Sequence, residues 1–561
     1  MAKTVSIGLQ DFGKIQDLNT FYIDKTKFIK EWWEAKDDVT LITRPRRFGK
    51  TLTMSMVEQF FSVEYAENIW FEQFSIWKEE EFRKLQGTYP VLFISFSDMK
   101  ENSYSQVRNK ICESIVDLYN HYDFLTSGNL LNDREKEYFH KVSPQMEDSE
   151  ASIAIRRLAG YLYKYYHKKV IILLDEYDTP MLEAYTGGYW KDLIAFTRSL
   201  FNATFKNNPY LERAIMTGIT RVSKESVFSD LNNLKVITTT SQEYADCFGF
   251  TEKEVFTALE EYGLGDWKTD VKDWYDGFVF GNISEIYNPW SIINFLDTKR
   301  LQPYWANTSS NHLANSLIRG GSKDVKIAFE QLLHGKSIQI QMDEQIIYEQ
   351  LQEKESAIWS LFLASGYLKV EQVEFQKTGR VLYSLSLTNR EVRMMFETII
   401  QSWFADYDSG YNDFVKALLS DDVKAMNVYM NRVAVTTFSF FDTGRKISAS
   451  HEPERFYHGF VLGLIVELED RYTITSNRES GFGRYDVLLE PRDSKDNAMI
   501  LEFKVHDPDS ERRLEDTAKN ALKQIDEKKY AAILASKGIP QEKIRKYGFA
   551  FCGKEIFIGK E

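Results

Sequence analysis

Between residues 39 and about 240, short apolar runs alternate with longer stretches in which apolar and polar residues are mixed. Apolar runs of about four to eight residues are typical of strands that are buried on both faces of a parallel sheet. The intervening stretches are long enough for helices that cover the two faces. The pattern predicts an α/β fold with a mostly parallel sheet, whose strands lie in VTLIT, YPVLFISFSD, KKVIILLDEYD and ERAIMTGIT.

The pattern changes twice further along the chain. From about 250 to 420 it becomes mostly helical and aromatic, which predicts a helical lid and connector. From about 451, a helix, three strand-like runs, a second helix and a short last strand predict a separate small α/β domain. We therefore expect three regions, at 1–245, 246–440 and 441–561.

Composition narrows the functional classes. The 561 residues are more than one hydrophobic core usually contains, so several domains are expected. The net charge of −13 argues against a protein that coats nucleic acid by bulk electrostatics, although it allows local basic patches. The three cysteines are far apart in sequence, which disfavours a disulfide framework and a zinc site. Since there is neither a signal-peptide core nor an apolar run near the roughly 18 residues of a membrane span, we expect a soluble cytoplasmic protein without a membrane partner.

A candidate phosphate-binding loop, RPRRFGKT, lies between the first predicted strand and an amphipathic helix. Such a loop needs backbone N–H groups at a helix N-terminus, a lysine for the outer phosphates and a hydroxyl for magnesium. Gly49, Lys50 and Thr51 supply the last part of this Walker A motif, whereas Arg44 stands where its first glycine is expected. A plain strand-to-helix turn is the alternative. The other candidate nucleotide-binding residues of the loop are Arg46, Arg47, Phe48 and Leu52. Near a triphosphate, Arg44, Arg46 and Arg47 are candidate charge partners, and side chains that simply face solvent are the alternative.

A matching Walker B motif is present in KKVIILLDEYDTP, where a hydrophobic strand ends in acids. Asp175 is the candidate that holds magnesium through its water shell, together with the hydroxyl of Thr51. Glu176 is placed to polarise an attacking water, and Asp178 is a candidate helper. Acidic turn residues after a strand are common, but the two motifs in this order predict a site for ATP and Mg²⁺.

A third strand, ERAIMTGITRVSKESVF, ends in polar residues. Thr217 or Thr220 at its tip is a candidate sensor of the γ-phosphate, and Arg221 is a candidate for neutralising charge during phosphoryl transfer. An ordinary strand end with a surface arginine explains these residues equally well.

The segments RPRRFGKT, LLDEYDTP, TGITRVSKESVFSDLNNL, FYIDKT and WYDGFVFG closely resemble the AAA-ATPase-like family of bacterial proteins, over about residues 1–290. The resemblance implies an arginine-rich loop as the rule, so that Arg44 does not indicate a dead site. It also implies that Tyr22, Asp24 and Lys25 lie near the nucleotide, although their position in a loop explains them equally well. A homo-oligomer, in which a neighbour's arginine completes the site, is a further expectation.

A second candidate site lies in GRYDVLLEPRDSKDNAMILEFKV. Because alternate residues of a strand share a face, Glu502 and Lys504 point one way and Phe503 points the other. Asp486 and Glu502 are candidate ligands of a divalent cation, and Lys504 is a candidate for activating water or stabilising phosphate charge. The alternative is an ion pair across a surface hairpin. However, AMILEFKV is otherwise apolar, so Glu502 and Lys504 would lie on a largely buried strand, where unpaired charge is costly. This observation favours a functional site over a surface ion pair.

This arrangement of an acid followed by E-x-K resembles the PD-(D/E)xK nuclease superfamily, a restriction-endonuclease-like fold, over about residues 451–561. In that superfamily a preceding helix often adds an acid, and Glu454 with His458 stands in such a helix. Gln524 and Tyr530 resemble the glutamine and tyrosine that often follow E-x-K in related nuclease domains. Solvent-exposed or core roles explain these four residues at least as well. The region has no basic excess that would by itself indicate DNA binding.

Taken together, these observations predict an ATPase coupled to a magnesium-dependent nuclease that acts on DNA or RNA. The alternative is a nucleotide-switched signalling or defence ATPase whose C-terminal domain is a degenerate nucleic-acid-binding module.

Overall fold

The computed structural model describes the chain except for residues 1, 207, 222–227, 229–230, 307–311, 334, 343–350, 352–353, 378–379, 406–412, 438–460, 463, 466–467, 477–478, 481–482, 485 and 509. The chain divides into two compact units. The first unit comprises Met1–Leu317 and Ser337–Arg393, and the second comprises Ile318–Lys336 and Met394–Glu561. Among the described residues, no helix combines the length and the apolar character that crossing a membrane requires.

A five-stranded, fully parallel sheet forms the centre of the first unit and confirms the predicted α/β fold. Its strands, in the spatial order β2-β3-β4-β1-β5, are β1 (Val39–Thr43), β2 (Val91–Ser95), β3 (Val170–Asp175), β4 (Leu211–Gly218) and β5 (Leu234–Ile237). Every residue of β1 and β3 is buried, as expected for strands covered on both faces. The edge strand β5 is short and mostly half-buried, which explains why no apolar run predicted it.

Helices cover this sheet and extend into the rest of the unit. One face packs on the helix Lys50–Phe61, whose Met54, Val57 and Phe60 share a core cluster with Ile42 and Leu173. The α-helices of residues 12–298 are Phe12–Asp17, Lys27–Ala35, Lys50–Phe61, Glu80–Arg83, Tyr104–His121, Asp133–Lys141, Asp148–Tyr166, Thr179–Gly187, Trp190–Phe205, Glu252–Glu261, Lys268–Tyr275 and Pro289–Thr298. The 3₁₀-helices are Val63–Tyr65, Ser75–Lys78, Asp123–Thr126 and Gly265–Trp267.

The region from 246 to 393 contains two small antiparallel sheets in addition to the predicted helices, so the expectation of a mostly helical lid is incomplete. The orders are β6-β8-β7 and β10-β11-β9. These strands escaped prediction because some have only two to five residues, whereas β10 is largely exposed and carries no apolar run. Their bounds are β6 Phe250–Thr251, β7 Phe278–Phe280, β8 Ile283–Tyr287, β9 Ile338–Gln341, β10 Leu368–Phe375 and β11 Val381–Leu387. The helices that follow Thr298 are His312–Gly320, Lys323–Leu333, Glu355–Ala364 and Arg390–Ala405.

The second unit is built on a mixed sheet in the order β12-β15-β16-β17-β18, in which β16 and β17 run parallel. A hairpin of β13 (Glu479–Ser480) and β14 (Gly483–Arg484) stands apart from it. The strands of the mixed sheet are β12 Tyr472–Ser476, β15 Val487–Pro491, β16 Ala498–Val505, β17 Ile544–Cys552 and β18 Glu555–Lys560. The unit's other helices are Asp413–Leu419, Val423–Thr437, Leu514–Glu527, Ala531–Ser536 and the 3₁₀-helix Gln541–Lys543.

Three details of this unit differ from the sequence prediction. The strand β17 was not predicted, because its first half, IRKYG, is charged and contains a glycine. The long predicted helix is interrupted, since Lys529 adopts a positive φ of 53° between the two helices. The helices Asp413–Leu419 and Val423–Thr437, which the sequence prediction placed in the connector, belong to this unit because Phe414 and Met430 share a core cluster with Phe549.

Candidate nucleotide site and candidate nuclease site

The candidate phosphate loop connects β1 to the helix Lys50–Phe61. Gly49 precedes the helix with a φ of 80°, a left-handed conformation that glycine adopts without strain. The Nζ of Lys50 is buried and donates to the carbonyl oxygens of Arg44 (3.0 Å) and Pro45 (2.9 Å). Burial lowers the pKa of Lys50, while the nearby carboxylates of β3 and its end oppose this shift. The lysine therefore lies inside the turn, held by two backbone acceptors that a phosphate could replace.

The candidate magnesium ligands lie beside this lysine. Thr51 Oγ1 donates to Asp175 Oδ2 at 2.7 Å, and the hydroxyl of Thr217 donates to the other oxygen, Oδ1. Asp175 has no exposed surface, and its pKa is raised by burial against the opposing effect of these two hydrogen bonds. A hydroxyl and a carboxylate in contact next to a lysine are oxygen donors of the type that Mg²⁺ prefers, so the residues present fit a magnesium-bound nucleotide.

The acids that follow β3 have different surroundings. Glu176 has a φ of 51°, a conformation that is uncommon outside glycine and is often found at functional sites. Its Oε2 accepts from Thr179 Oγ1 at 3.2 Å. Asp178 is buried and accepts three hydrogen bonds, from the backbone of Ile219 (3.0 Å) and from the backbone and hydroxyl of Thr220 (both 2.8 Å). Asp178 thus ties the end of β3 to the end of β4.

A cavity of about 870 Å³ lies over the loop, which is within the usual range of ligand pockets. Its lining contains the predicted loop residues, Glu176, Asp178 and Thr220. Asp175 and Thr217 do not line the cavity, because they contact each other below its surface. Arg221 is also outside the lining. The role of Arg221 stays a prediction. The predicted residues in the lining are Arg46, Arg47, Phe48, Gly49, Lys50, Thr51, Leu52, Glu176, Asp178, Thr220, Tyr22 and Lys25.

The three arginines of the loop have separate roles. Arg44 is fully buried; its guanidinium donates to the carbonyls of Thr43 (3.0 Å) and Thr238 (2.7 Å) and lies 4.6 Å from the ring centroid of Phe280. Burial lowers its pKa to about 10. Arg44 is therefore a structural residue, which corrects the expectation that it pairs with a triphosphate. Arg47, by contrast, is exposed, and its guanidinium lies 4.3 Å from the ring centroid of Trp290.

The segment FYIDKT contributes only partly to the cavity. Tyr22 and Lys25 line it, but the ammonium of Lys25 is held by both carboxylate oxygens of Glu254 (2.8 and 2.7 Å) and by the carbonyl of Asp246 (2.9 Å). Asp24 is outside the lining and accepts hydrogen bonds from the backbone of Thr26 and Ser75. Burial raises the pKa of Asp24, but hydrogen bonds from the side chains and backbone of Thr26 and Ser75 outweigh this effect and lower the pKa.

Sequence reasoning assigned no chemical role to Asn288 or Trp305, yet both side chains contact the loop. Trp305 Nε1 donates to the carbonyl oxygen of Arg46 at 3.0 Å, and Asn288 Nδ2 reaches the same oxygen at 3.3 Å. The two residues stand in YNPWSIINFL and YWANTSSN, which resemble family sequences but gave no indication of this contact. Their distance in sequence from the loop hid it.

The acids of the candidate nuclease site meet at β15 and β16. The pairs Val487↔Leu501 and Leu488↔Ile500 set an antiparallel register that brings Asp486, just before β15, beside Glu502. Asp486 Oδ2 accepts from the backbone N–H of Phe503 at 2.8 Å. Glu502 is buried, with only 1% of its surface exposed, and its Oε1 accepts from the amide of Gln524.

Both faces of β16 agree with the predicted alternation. Phe503 belongs to the core cluster on one face of the sheet, whereas Ala498 and Ile500 pack with Tyr530 on the other. Glu502 and Lys504 share the second face, where burial and the neighbouring Glu502 and Asp486 raise the pKa of Tyr530 to about 12. The predicted pair Gln524 and Tyr530 therefore lies beside the predicted acids. Glu454 and His458 lie outside the described residues.

Two family models match this chain. One, described as a predicted AAA-ATPase, covers residues 6–228, and its match includes the phosphate loop and the acids Asp175, Glu176 and Asp178. The N-terminal region carries a predicted AAA-ATPase domain. The second model, of the PD-(D/E)XK nuclease superfamily, covers residues 452–561 and includes Asp486, Glu502 and Lys504. Both resemblances predicted from the sequence are thereby confirmed.

One relative is similar to this chain over nearly its whole length. An uncharacterized protein in the vnfD 5′ region of Azotobacter chroococcum mcd 1 is 24% identical over 560 residues, covering 96% of this chain and 95% of the relative. The similarity therefore extends over the middle region as well as over both matched domains.

Proposed function

We propose that this protein binds and hydrolyses ATP with Mg²⁺ in its N-terminal domain, and that the C-terminal domain is a metal-dependent nuclease that acts on DNA or RNA. The observation that carries the first part is the contact of the buried Asp175 with Thr51, which lines a cavity large enough for a nucleotide together with Lys50. The second part rests on Asp486 and Glu502 being held together in a domain of a nuclease superfamily.

In the ATPase reaction, Lys50 leaves the carbonyls of Arg44 and Pro45 for the outer phosphates, and the loop N–H groups bind the phosphate oxygens. Thr51 and Asp175 would hold magnesium, which would supply neutralisation of the phosphate charge. Glu176 accepts a hydrogen bond from the attacking water and aligns it with the γ-phosphate. Asp178, through Thr220, holds the tip of β4 at the cavity wall.

In the nuclease reaction, Asp486 and Glu502 would hold the metal ion, which supplies Lewis-acid activation of the phosphodiester. Gln524 holds one oxygen of Glu502, so that the carboxylate keeps one orientation. Lys504, which extends from the same face of β16, stabilises negative charge on the phosphate or positions the attacking water.

The test uses the purified protein with plasmid, linear duplex, single-stranded and RNA substrates, in magnesium or manganese, with and without ATP. We expect cleavage that Glu502→Ala and Lys504→Ala both abolish, and ATP hydrolysis that Lys50→Ala abolishes. Lys537→Ala, which removes an exposed lysine of the same C-terminal unit, is the matched control. If neither Glu502→Ala nor Lys504→Ala changes cleavage, the nuclease proposal is wrong and the nucleotide-switched binding module takes its place.

A further inference from the structure

The carbonyl oxygen of Arg46, in the middle of the phosphate loop, accepts two hydrogen bonds from outside the loop. The donors are Trp305 Nε1 at 3.0 Å and Asn288 Nδ2 at 3.3 Å, and we name this pair the carbonyl clamp. In a trans peptide the C=O of one residue and the N–H of the next point in opposite directions. By holding the Arg46 carbonyl, the clamp therefore also sets the direction of the Arg47 N–H, one of the loop amides available to a phosphate.

The loop needs such support because of its sequence. Arg47 has a φ of 64°, a left-handed conformation that a glycine adopts freely but that is strained for any other residue. Its guanidinium lies on the ring of Trp290, two residues after Asn288. A glycine-poor loop is thus kept in shape by contacts from the segment 288–305.

The clamp residues are themselves fixed by buried partners. The Trp305 backbone N–H donates to Glu391 Oε1 at 2.5 Å, and Ser291 Oγ donates to Oε2 of the same carboxylate at 2.9 Å. The amide of Asn288 has a defined orientation, because its oxygen accepts from the backbone N–H of Trp290 at 2.9 Å and leaves the nitrogen for Arg46. Asn288 and Glu391 are both fully buried.

We propose that Asn288 and Trp305 are positioning residues for nucleotide binding, which act through the Arg46 carbonyl and present the loop amides to the phosphates. This inference rests on the proposed ATP site. Asn288 is the decisive residue, because it does not line the cavity and so cannot act by touching the ligand. Trp305 does line the cavity, and its contribution through the indole N–H must be separated from packing.

The test compares Asn288→Asp with Asn294→Asp. Aspartate at 288 keeps the oxygen that caps the helix Pro289–Thr298 but replaces the donor to Arg46 with a carboxylate oxygen. Asn294, inside the helix that Asn288 caps, is the control, since its amide donates to the carbonyl of Trp290 at 2.8 Å and it does not line the cavity. The readouts are ATP affinity at pH 6 and pH 8, relative to wild type at each pH, and hydrogen exchange of residues 44–52 without nucleotide.

We expect Asn288→Asp to weaken ATP binding at pH 8 by roughly tenfold or more, because the Arg46 carbonyl loses one of its two donors and faces a carboxylate oxygen instead. Binding should recover in part at pH 6, where a protonated carboxyl can donate to Arg46 again, and loop amides should exchange faster than in wild type. Trp305→Phe should show a smaller loss than Asn288→Asp but a larger loss than Trp32→Phe, in which a buried indole without a hydrogen-bond partner is removed.

The clamp is refuted if wild type binds ATP and Asn288→Asp binds it as well as Asn294→Asp does at both pH values. It is also refuted if the two variants lose affinity equally and without pH dependence, because that result describes general destabilisation. Failure of the proposed function looks different: wild type itself would not bind ATP, while loop exchange in Asn288→Asp would still report whether the clamp orders the loop.

Discussion

The candidate nucleotide site and the candidate nuclease site assemble their acids in different ways. At the nucleotide site, Asp175 ends β3 and Glu176 follows it, and the phosphate loop follows β1 of the same parallel sheet. At the nuclease site, Asp486 and Glu502 come from an antiparallel pair, and a glutamine from the helix Leu514–Glu527 holds one of them. The first site is therefore set largely by backbone direction, and the second by strand register and one side-chain contact.

The two sites should therefore lose their geometry in different ways. Loss of a backbone support in the loop should misdirect several amides together, because they belong to one turn. Loss of a side-chain support at the nuclease site should affect one carboxylate. Single substitutions can therefore probe each site separately.

The largest effect should come from Glu176→Gln. We expect kcat for ATP hydrolysis to fall by about 100-fold or more, because the amide cannot accept a proton from the attacking water, with little change in ATP affinity. Steady-state phosphate release and direct ATP binding measure the two quantities. Glu183→Gln, at the wall of the same cavity, is the control. Equal loss in both variants would show that Glu176 acts only through the charge of the cavity.

Glu391→Gln tests the buried carboxylate behind the clamp. Burial raises the pKa of Glu391 to about 7, so the folded state binds its proton more tightly than the unfolded state does. This carboxyl therefore favours folding most at low pH, and the advantage is lost as the pH rises from about 4.5 to about 7. The neutral variant should gain about 3 kcal/mol of unfolding free energy relative to wild type over that range. Denaturant unfolding at pH 5 and pH 8 measures it.

The matched control for this change is Glu374→Gln, on the exposed part of β10. Its effect on the unfolding free energy should be small and should not depend on pH. If the difference between Glu391→Gln and wild type is the same at pH 5 and pH 8, Glu391 does not titrate in this range, and its role is hydrogen bonding alone.

Gln524→Ala should affect only the nuclease site. Without the amide, Glu502 loses a donor that orients it, and we expect the metal concentration for half-maximal cleavage to rise about tenfold. A metal titration of cleavage measures this, with ATP hydrolysis as the internal reference. Gln541→Ala, on a 3₁₀-helix of the same unit, should not shift the titration. An unshifted titration in Gln524→Ala would remove this glutamine from the site.

The smallest effect should come from Arg47→Ala. Alanine retains the unfavourable positive φ but loses the stacking on Trp290, which contributes about 0.5–1 kcal/mol. We expect ATP affinity to fall by roughly two- to fivefold. Arg83→Ala, which removes an arginine outside the cavity lining, measures the general effect of one lost positive charge. Equal losses in the two variants would show that Arg47 contributes charge only.

The sequence alone was sufficient for features that depend on local order along the chain. The strands β1 to β4 were predicted because each is a short apolar run, and the phosphate loop and the acids after β3 were predicted because they directly follow such runs. The opposite directions of Glu502 and Phe503 followed from the two-residue period of a strand. These inferences needed only neighbours in sequence.

Only the tertiary structure shows the contacts between segments that are far apart in sequence. Arg44 looked like a phosphate partner, but the carbonyl of Thr238 and the ring of Phe280 make it structural. Asn288 and Trp305 contact the Arg46 carbonyl from about 240 and 260 residues away. No period or motif encodes such contacts, because a backbone carbonyl is the same for every residue type. Which side chain reaches it depends on how the folded segments pack.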